Sequence, residues 1–279
     1  MLINILYLLR VKDWLKNLLV FIPLIFSNNL LNSHYYFDLV YTYFIFCIAS
    51  SFIYIINDIV DIEDDKNHPI KKIIKPLANG KLNILFSKYL LFVLILFLGV
   101  LIFFDNQLLL FVLFYIILNI TYIFYFKKIP VIDILVISIG YLIRVEGGSQ
   151  VINVNTSYLT FCAIFFLSIF VISIKRKKEL ENNIQSRESL YFYKSNILNI
   201  IVYISMIFSF CSYLFYTIFI NTNLLLTLPL VILVFLRYLY LTKSTTKGEF
   251  PIDVVIYDWK LLILIGIFLF ITINSFIYF

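Results

Sequence analysis

The chain has 279 residues, 62% of them hydrophobic, 19% aromatic and only 14% charged, with a formal net charge of +6. A soluble domain is near half apolar and about a quarter charged, so a water-soluble globular protein is excluded. An outer-membrane barrel is excluded too, because the alternation over about ten residues that marks its strands is absent.

In chain order, apolar runs separated by polar breaks predict about nine spans, over 14–31, 37–57, 84–104, 107–126, 130–146, 157–174, 196–220, 223–242 and 260–278. Each is close to the roughly 20 residues that cross hydrocarbon. No cleavable leader is expected, since Arg10, Lys12 and Lys16 precede the first long run and no small-residue cleavage site follows it. The breaks "SNNLLNSHYY", "DNQ" and "NTN" hold no Lys or Arg, whereas 58–88, 127–128, 175–194 and 237–260 are rich in them. With a cytoplasmic N-terminus, nine spans leave every Lys and Arg except Arg144 on the cytoplasmic side, a positive-inside pattern. The basic balance is therefore a topology signal, and no nucleic-acid partner is expected. The expectation is a single all-α domain over 1–279 in the cytoplasmic membrane, with its polar chemistry on the cytoplasmic side. Arg144 lies near the far end of the fifth span beside Glu146, where a charge needs a partner or a polar cavity. Cys47, Cys162 and Cys211 are isolated in apolar segments and read as small buried hydrophobes.

The second span ends in "IINDIVDIEDDKNHPIKK". At about 100° per residue, Asn57, Asp58, Asp61 and Asp65 share one helical face, while Glu63 points away. Convergent carboxylates near a low-dielectric region repel and favour protonation. A divalent cation removes that cost, and oxygen donors of this kind suit Mg2+, commonly held by one or two carboxylates plus substrate phosphates. Asp58, Asp61 and Asp65 are thus the expected metal ligands. Pro69 and Pro76 stop the helix, and Lys71, Lys72 and Lys75 follow. Cations beside metal-binding acids make a site for a phosphorylated or diphosphate substrate. His68 reads as a loop or supporting residue, because His34 is on the far side and no other His lies near it.

"NDIVDIEDDKNHPIKKIIKPLANG" resembles the first acidic motif of the UbiA superfamily of intramembrane prenyltransferases, and its second half resembles the decaprenyl-phosphate phosphoribosyltransferase branch. Three more stretches resemble that branch. "LLRVKDWLKNLLVFIPLIF" carries Arg10, Trp14, Lys16 and Asn17; "YIFYFKKIPVIDILVISIGYLIRVEGG" carries Lys127, Asp133, Gly140, Arg144 and Gly147; "KRKKELENNIQSRESLYFY" carries Lys175 and Arg176. Val11 and Asp13 depart from that pattern, as does Lys75, which stands where Arg is usual and lacks its bidentate grip on phosphate. The second acidic motif of aromatic prenyltransferases is not evident; Asp133 and Glu146 are the acids of that region.

The resemblance implies a UbiA-like helical bundle with a cytoplasm-facing cavity. It implies Mg2+-dependent transfer of 5-phosphoribose from phosphoribosyl diphosphate to a membrane polyprenyl phosphate, with diphosphate released. Arg10, Lys16, Asn17, Lys71, Lys75, Lys127, Asp133, Arg144, Lys175 and Arg176 become the expected substrate contacts, together with Tyr122, which sits with Tyr125 just before Lys127. Arg187 and Arg237 divide evenly between phosphate contact and topology charge. A homo-oligomer is compatible with the sequence. The rival readings are a UbiA-type transfer from an allylic diphosphate to an aromatic acceptor, a transporter or channel, and a membrane scaffold.

Overall fold

A computed structural model of the chain describes residues 1–68, 70–103, 106–182, 190, 192–244 and 249–277. Pro69 and Arg187 lie outside them. Helix is the regular structure throughout the described residues, as hydrocarbon demands, because a helix satisfies its own backbone.

Helix α1 (Leu2–Leu8) leads through Arg10, whose φ of 50° is left-handed, into a 3-10 run over Val11–Phe21 and the short α2 (Ile22–Ile25). The expected first span, 14–31, is therefore not one α-helix. The long α3 (Ser33–Val60) follows, capped by the Asn32 side chain, which accepts the His34 amide at 3.2 Å. Two short helices, α4 (Ile62–Asn67) and α5 (Lys71–Ile74), carry the acidic and basic stretch. Then come α6 (Ile84–Phe103), α7 (Asn106–Phe124), α8 (Ile132–Val151), α9 (Tyr158–Glu181), α10 (Ser195–Phe219), α11 (Leu228–Ser244), α12 (Pro251–Ile256) and α13 (Trp259–Ile277).

Among the described residues, six helices are long and apolar enough to cross a membrane: α3, α6, α9, α10, the segment Thr222–Lys243 that includes α11, and α13. Helix α7 contributes a shorter apolar stretch, Leu108–Phe124. Helix α8 has the length, but Asp133, Arg144 and Glu146 interrupt it. The expected count of nine is thus not reached by length and apolarity alone. It was reached from the sequence by counting a charged helix, a shorter one and a 3-10 segment as spans.

The two largest buried clusters among the described residues divide the helices between them. Helices α3, α6, α7 and α8 bury Ile45, Phe46, Leu108, Tyr115 and Ile143 around Val20 and Leu24 of the N-terminal segment. Helices α9 to α13 bury Phe170, Val202, Phe235, Tyr238, Val254 and Leu261. Aromatic edges join the clusters, with Phe26 5.6 Å from Tyr216 and 6.2 Å from Phe276. Small polar residues let helices approach, as small residues do in membranes; Ser209 donates to the Ala163 carbonyl at 2.9 Å across the α9–α10 seam. Cys47 is buried as expected, but Cys162 is exposed on the outer side of α9.

Candidate active site

The acidic stretch does not continue α3. The helix stops at Val60, Asp61 takes a non-helical conformation (φ −91°, ψ 13°), and α4 starts afresh at Ile62. Asp58 and Asp65, both buried, nonetheless converge on one ammonium. Lys75 Nζ lies 2.8 Å from Asp58 Oδ1 and also pairs with Asp65 Oδ2. Arg10 Nη2 reaches the same Asp58 oxygen at 2.5 Å, and Lys71 Nζ stands 3.8 Å from Asp65 Oδ1. Burial holds the Asp65 carboxyl above its usual range, against the pull of Lys75 and Lys71.

Asp61 is set apart, paired with Lys127 at 2.5 Å across from α7. Asn57 is half-buried, and its carbonyl accepts the Asp61 amide at 2.9 Å. Among the described residues, no group of three acids, His or Cys is gathered closely enough to hold a metal. The expected three-carboxylate centre appears instead as a pair, Asp58 with Asp65, and an outlier. The reason is that the Asp61 carboxylate is taken by Lys127, whereas Asp58 and Asp65 share Lys75.

The donor set of that pair fits a hard divalent cation. Both groups are carboxylates, and a cation, the Lys75 ammonium, already sits between them. Such pairing completed by substrate phosphates is the usual mode for Mg2+.

Deeper in the bundle a second polar layer continues from the first. The Arg10 guanidinium lies 4.7 Å from the centre of the Tyr54 ring, and Lys16 Nζ lies 5.9 Å from it. Lys16 pairs with Asp13 at 2.5 Å. Arg144 is buried and donates to Asn17 Oδ1 at 2.6 Å, the Gly140 carbonyl at 2.6 Å and the Tyr115 hydroxyl at 2.9 Å. Asn17 in turn donates to Cys47 and Ser50 at 3.2 and 3.3 Å. Glu146 was the expected neighbour of Arg144, but it accepts from Gln150 instead, at 2.9 Å.

Three expected substrate contacts are engaged with one another. Arg176 donates to Asp133 Oδ2 at 2.6 Å, to Glu179 Oε2 at 2.7 Å and to the Tyr122 hydroxyl at 3.0 Å. Tyr193 closes the network: it donates to Asp133 Oδ1 at 2.5 Å and accepts the Val131 amide at 2.6 Å. Val131 is β-branched with φ 69°, a strained conformation, and this hydrogen bond holds it at the start of α8. Arg176 and Asp133 are 1% and 0% exposed. They fasten α8 to α9 and are not open to a ligand in this structure. We expect Asp133→Asn to cost about 3 kcal/mol of stability, as breaking a buried charged pair does. Thermal unfolding in detergent would show it, with little change in substrate KM for the protein that folds.

Lys175 is half-buried in the last turns of α9, where its charge reaches Asp13 and Glu249. Glu249 is buried and accepts from Asn182. Burial first, and then the charge of Glu179, raise its carboxyl. Glu179 and Glu249 thus form a second acidic patch that the sequence reading missed, as it missed Tyr54, Tyr115 and Tyr193. The signal for Tyr54 was present, since it lies one helical turn before Asp58. The contacts of Tyr193 and Glu249 are long-range and carry no local signature.

What the fold and site define is a polytopic, all-helical membrane protein with a carboxylate–lysine centre at one end of its longest span. The chain belongs to the UbiA prenyltransferase family, whose sequence model matches residues 20–250. It is 33% identical over 178 residues to a decaprenyl-phosphate phosphoribosyltransferase of Corynebacterium glutamicum, covering 62% of this chain and 53% of that protein. To the protein of the same name from Mycolicibacterium smegmatis it is 30% identical over 202 residues, covering 69% and 63%. The chain therefore spans about half to two thirds of the length of these relatives. The fold matches a UbiA homologue from Archaeoglobus fulgidus, solved bound to DMAPP and Mg2+, with a TM-score of 0.71, 16% identity and coverage of 97% and 98%.

Proposed function

We propose that this chain transfers 5-phosphoribose from phosphoribosyl diphosphate to the phosphate of a membrane polyprenyl phosphate, releasing diphosphate. The observation that carries the reading is the Asp58–Lys75–Asp65 bridge flanked by Arg10 and Lys71. Alternating carboxylate and ammonium groups at the end of a span suit a metal–diphosphate. The names of the relatives support the phosphoribosyl donor.

Asp58 and Asp65 would hold Mg2+, while Asp61, between them in sequence, pairs with Lys127. When bound, that ion supplies charge neutralisation on the leaving diphosphate. Arg10, Lys71 and Lys75 bind the remaining phosphate oxygens and keep the donor oriented. The bond from the ribose anomeric carbon to the diphosphate oxygen breaks, and diphosphate leaves with the electron pair. An oxygen of the acceptor phosphate forms the new bond to that carbon. A phosphate monoester brings its own anionic oxygen, so no strong general base is required, and positioning with electrostatic stabilisation carries the rate. The buried Arg144 and Asn17 fix the 3-10 segment that presents Lys16 to the same layer. The lysine-rich end of the bundle faces the cytoplasm of the inner membrane by the positive-inside bias, which is where phosphoribosyl diphosphate, a soluble donor, would reach it.

The test is an assay of the purified protein with polyprenyl phosphates of several chain lengths and radiolabelled phosphoribosyl diphosphate. Labelled lipid and equimolar diphosphate are expected; chelation should abolish both and Mg2+ restore them. No labelled lipid at any chain length, with consumption of a prenyl diphosphate and an aromatic acceptor, would overturn the reading.

A further inference from the structure

His68 caps the turn between α4 and α5. Its Nδ1 accepts two backbone amides, those of Ile70 and Lys71, each at 3.2 Å. A ring nitrogen that accepts N–H bonds carries no proton, so the proton of the neutral imidazole sits on Nε2. The residue is 3% exposed, and among the described residues Nε2 has no hydrogen-bond partner. Buried donors are almost always satisfied, and an orphan one calls for an explanation.

The charged groups acting on the ring are Lys71, Lys75 and Glu179. Glu179 does not take the Nε2 proton; one of its oxygens accepts from Arg176. Lys71 and Lys75 are the same side chains that border the Asp58–Asp65 pair. Both are flexible four-carbon stems, and the Lys71 amide is itself one of the two held by the ring. A buried N–H donor, fixed in one tautomer on the turn that leads into Lys71, is complementary to an anionic oxygen.

We propose that His68 Nε2–H donates to an oxygen of the donor's diphosphate and so positions it against the carboxylate pair. This rests on the reading above only in taking the bound group to be a diphosphate, which phosphoribosyl and prenyl donors share.

Two variants separate the ring's two nitrogens. In His68→Asn the amide oxygen replaces Nδ1 and keeps the turn, but the donor is lost. In His68→Gln the amide nitrogen replaces Nε2 and keeps the donor, but the turn acceptor is lost. The probe is inorganic diphosphate with Mg2+, titrated calorimetrically into the purified protein. We expect His68→Asn to raise Kd about tenfold or more, the value of a hydrogen bond to a charged group, with Tm within about 2 °C of the unmutated protein. His68→Gln should keep Kd within about threefold and lower Tm. In the unmutated protein labelled with 15N-histidine, Mg–diphosphate should move the Nε2–H proton resonance downfield.

Unchanged Kd in His68→Asn overturns the proposal, as do parallel losses of affinity and Tm in both variants or an unmoved resonance. Absence of diphosphate binding by the unmutated protein overturns it as well. If phosphoribosyl diphosphate is no substrate while His68→Asn still weakens Mg–diphosphate, the donor reading fails and the role of His68 stands.

Discussion

Replacing Asp58 by asparagine is expected to lower transfer by at least about a hundredfold while leaving the bundle folded, a loss of the size seen when one preorganised electrostatic group is removed. One oxygen of this carboxylate, 1% exposed, receives both Arg10 and Lys75. The amide matches the carboxylate in shape, so packing is kept. Arg10 retains the Tyr54 face at 4.7 Å, and Lys75 retains Asp65. What disappears is the negative charge that would hold the metal and set the register of the two cations. The measurement is kcat/KM against Mg2+ concentration, alongside thermal unfolding. Activity within about fivefold of the unmutated protein, where a catalytic electrostatic contact should cost far more, would remove the carboxylate pair from the mechanism. A matched fall in Tm and yield would make Asp58 a structural partner of Arg10.

Much of this site was legible in the sequence because its members are near one another along the chain. Asp58, Asp65, Lys71 and Lys75 were picked out by composition at the end of an apolar run, and they do meet. The grouping of Asp61 with them assumed one uninterrupted helix. Asp61 pairs instead with Lys127, 66 positions later, and helical phase along one segment cannot foresee a partner from another. The partner of Arg144 was missed for another reason. Glu146 is the obvious neighbour in sequence, but i and i+2 lie on different sides of a helix. The true partner is Asn17, 127 positions earlier. The N-terminal apolar run misled in the same way, since hydropathy measures the cost of exposure and not which helix forms. Val11–Phe21 buries Asn17 and Val20 as a 3-10 segment packed on α3 and α8.

That packing yields the second large effect. Gly148→Ala should prevent the bundle from assembling, or destabilise it by roughly 3 kcal/mol or more, at or above the usual range for overpacking. A Cβ built on Gly148 would stand 2.0 Å from the Val20 carbonyl oxygen and 2.9 Å from its carbon. Both obstacles are backbone, so no rotamer change relieves them, and the 3-10 segment itself would have to move off α8. Small residues at such crossings are what let membrane helices approach closely. At Gly147 the added atom would meet the Phe46 ring at 2.8 Å; a side chain can give way, so Gly147→Ala should be the milder change. The same crossing places Asn17 against Arg144, so a displaced segment also carries Lys16 and Arg10 away from the carboxylates. Yield, monodispersity and thermal unfolding in detergent check the order of the two variants. Should Gly148→Ala melt within about 2 °C of the unmutated protein, a shift worth well under 1 kcal/mol for a chain of this size, the close approach of α8 to Val20 is not needed for the fold. If it folds but loses activity, the glycine sets the site's geometry without being required for assembly.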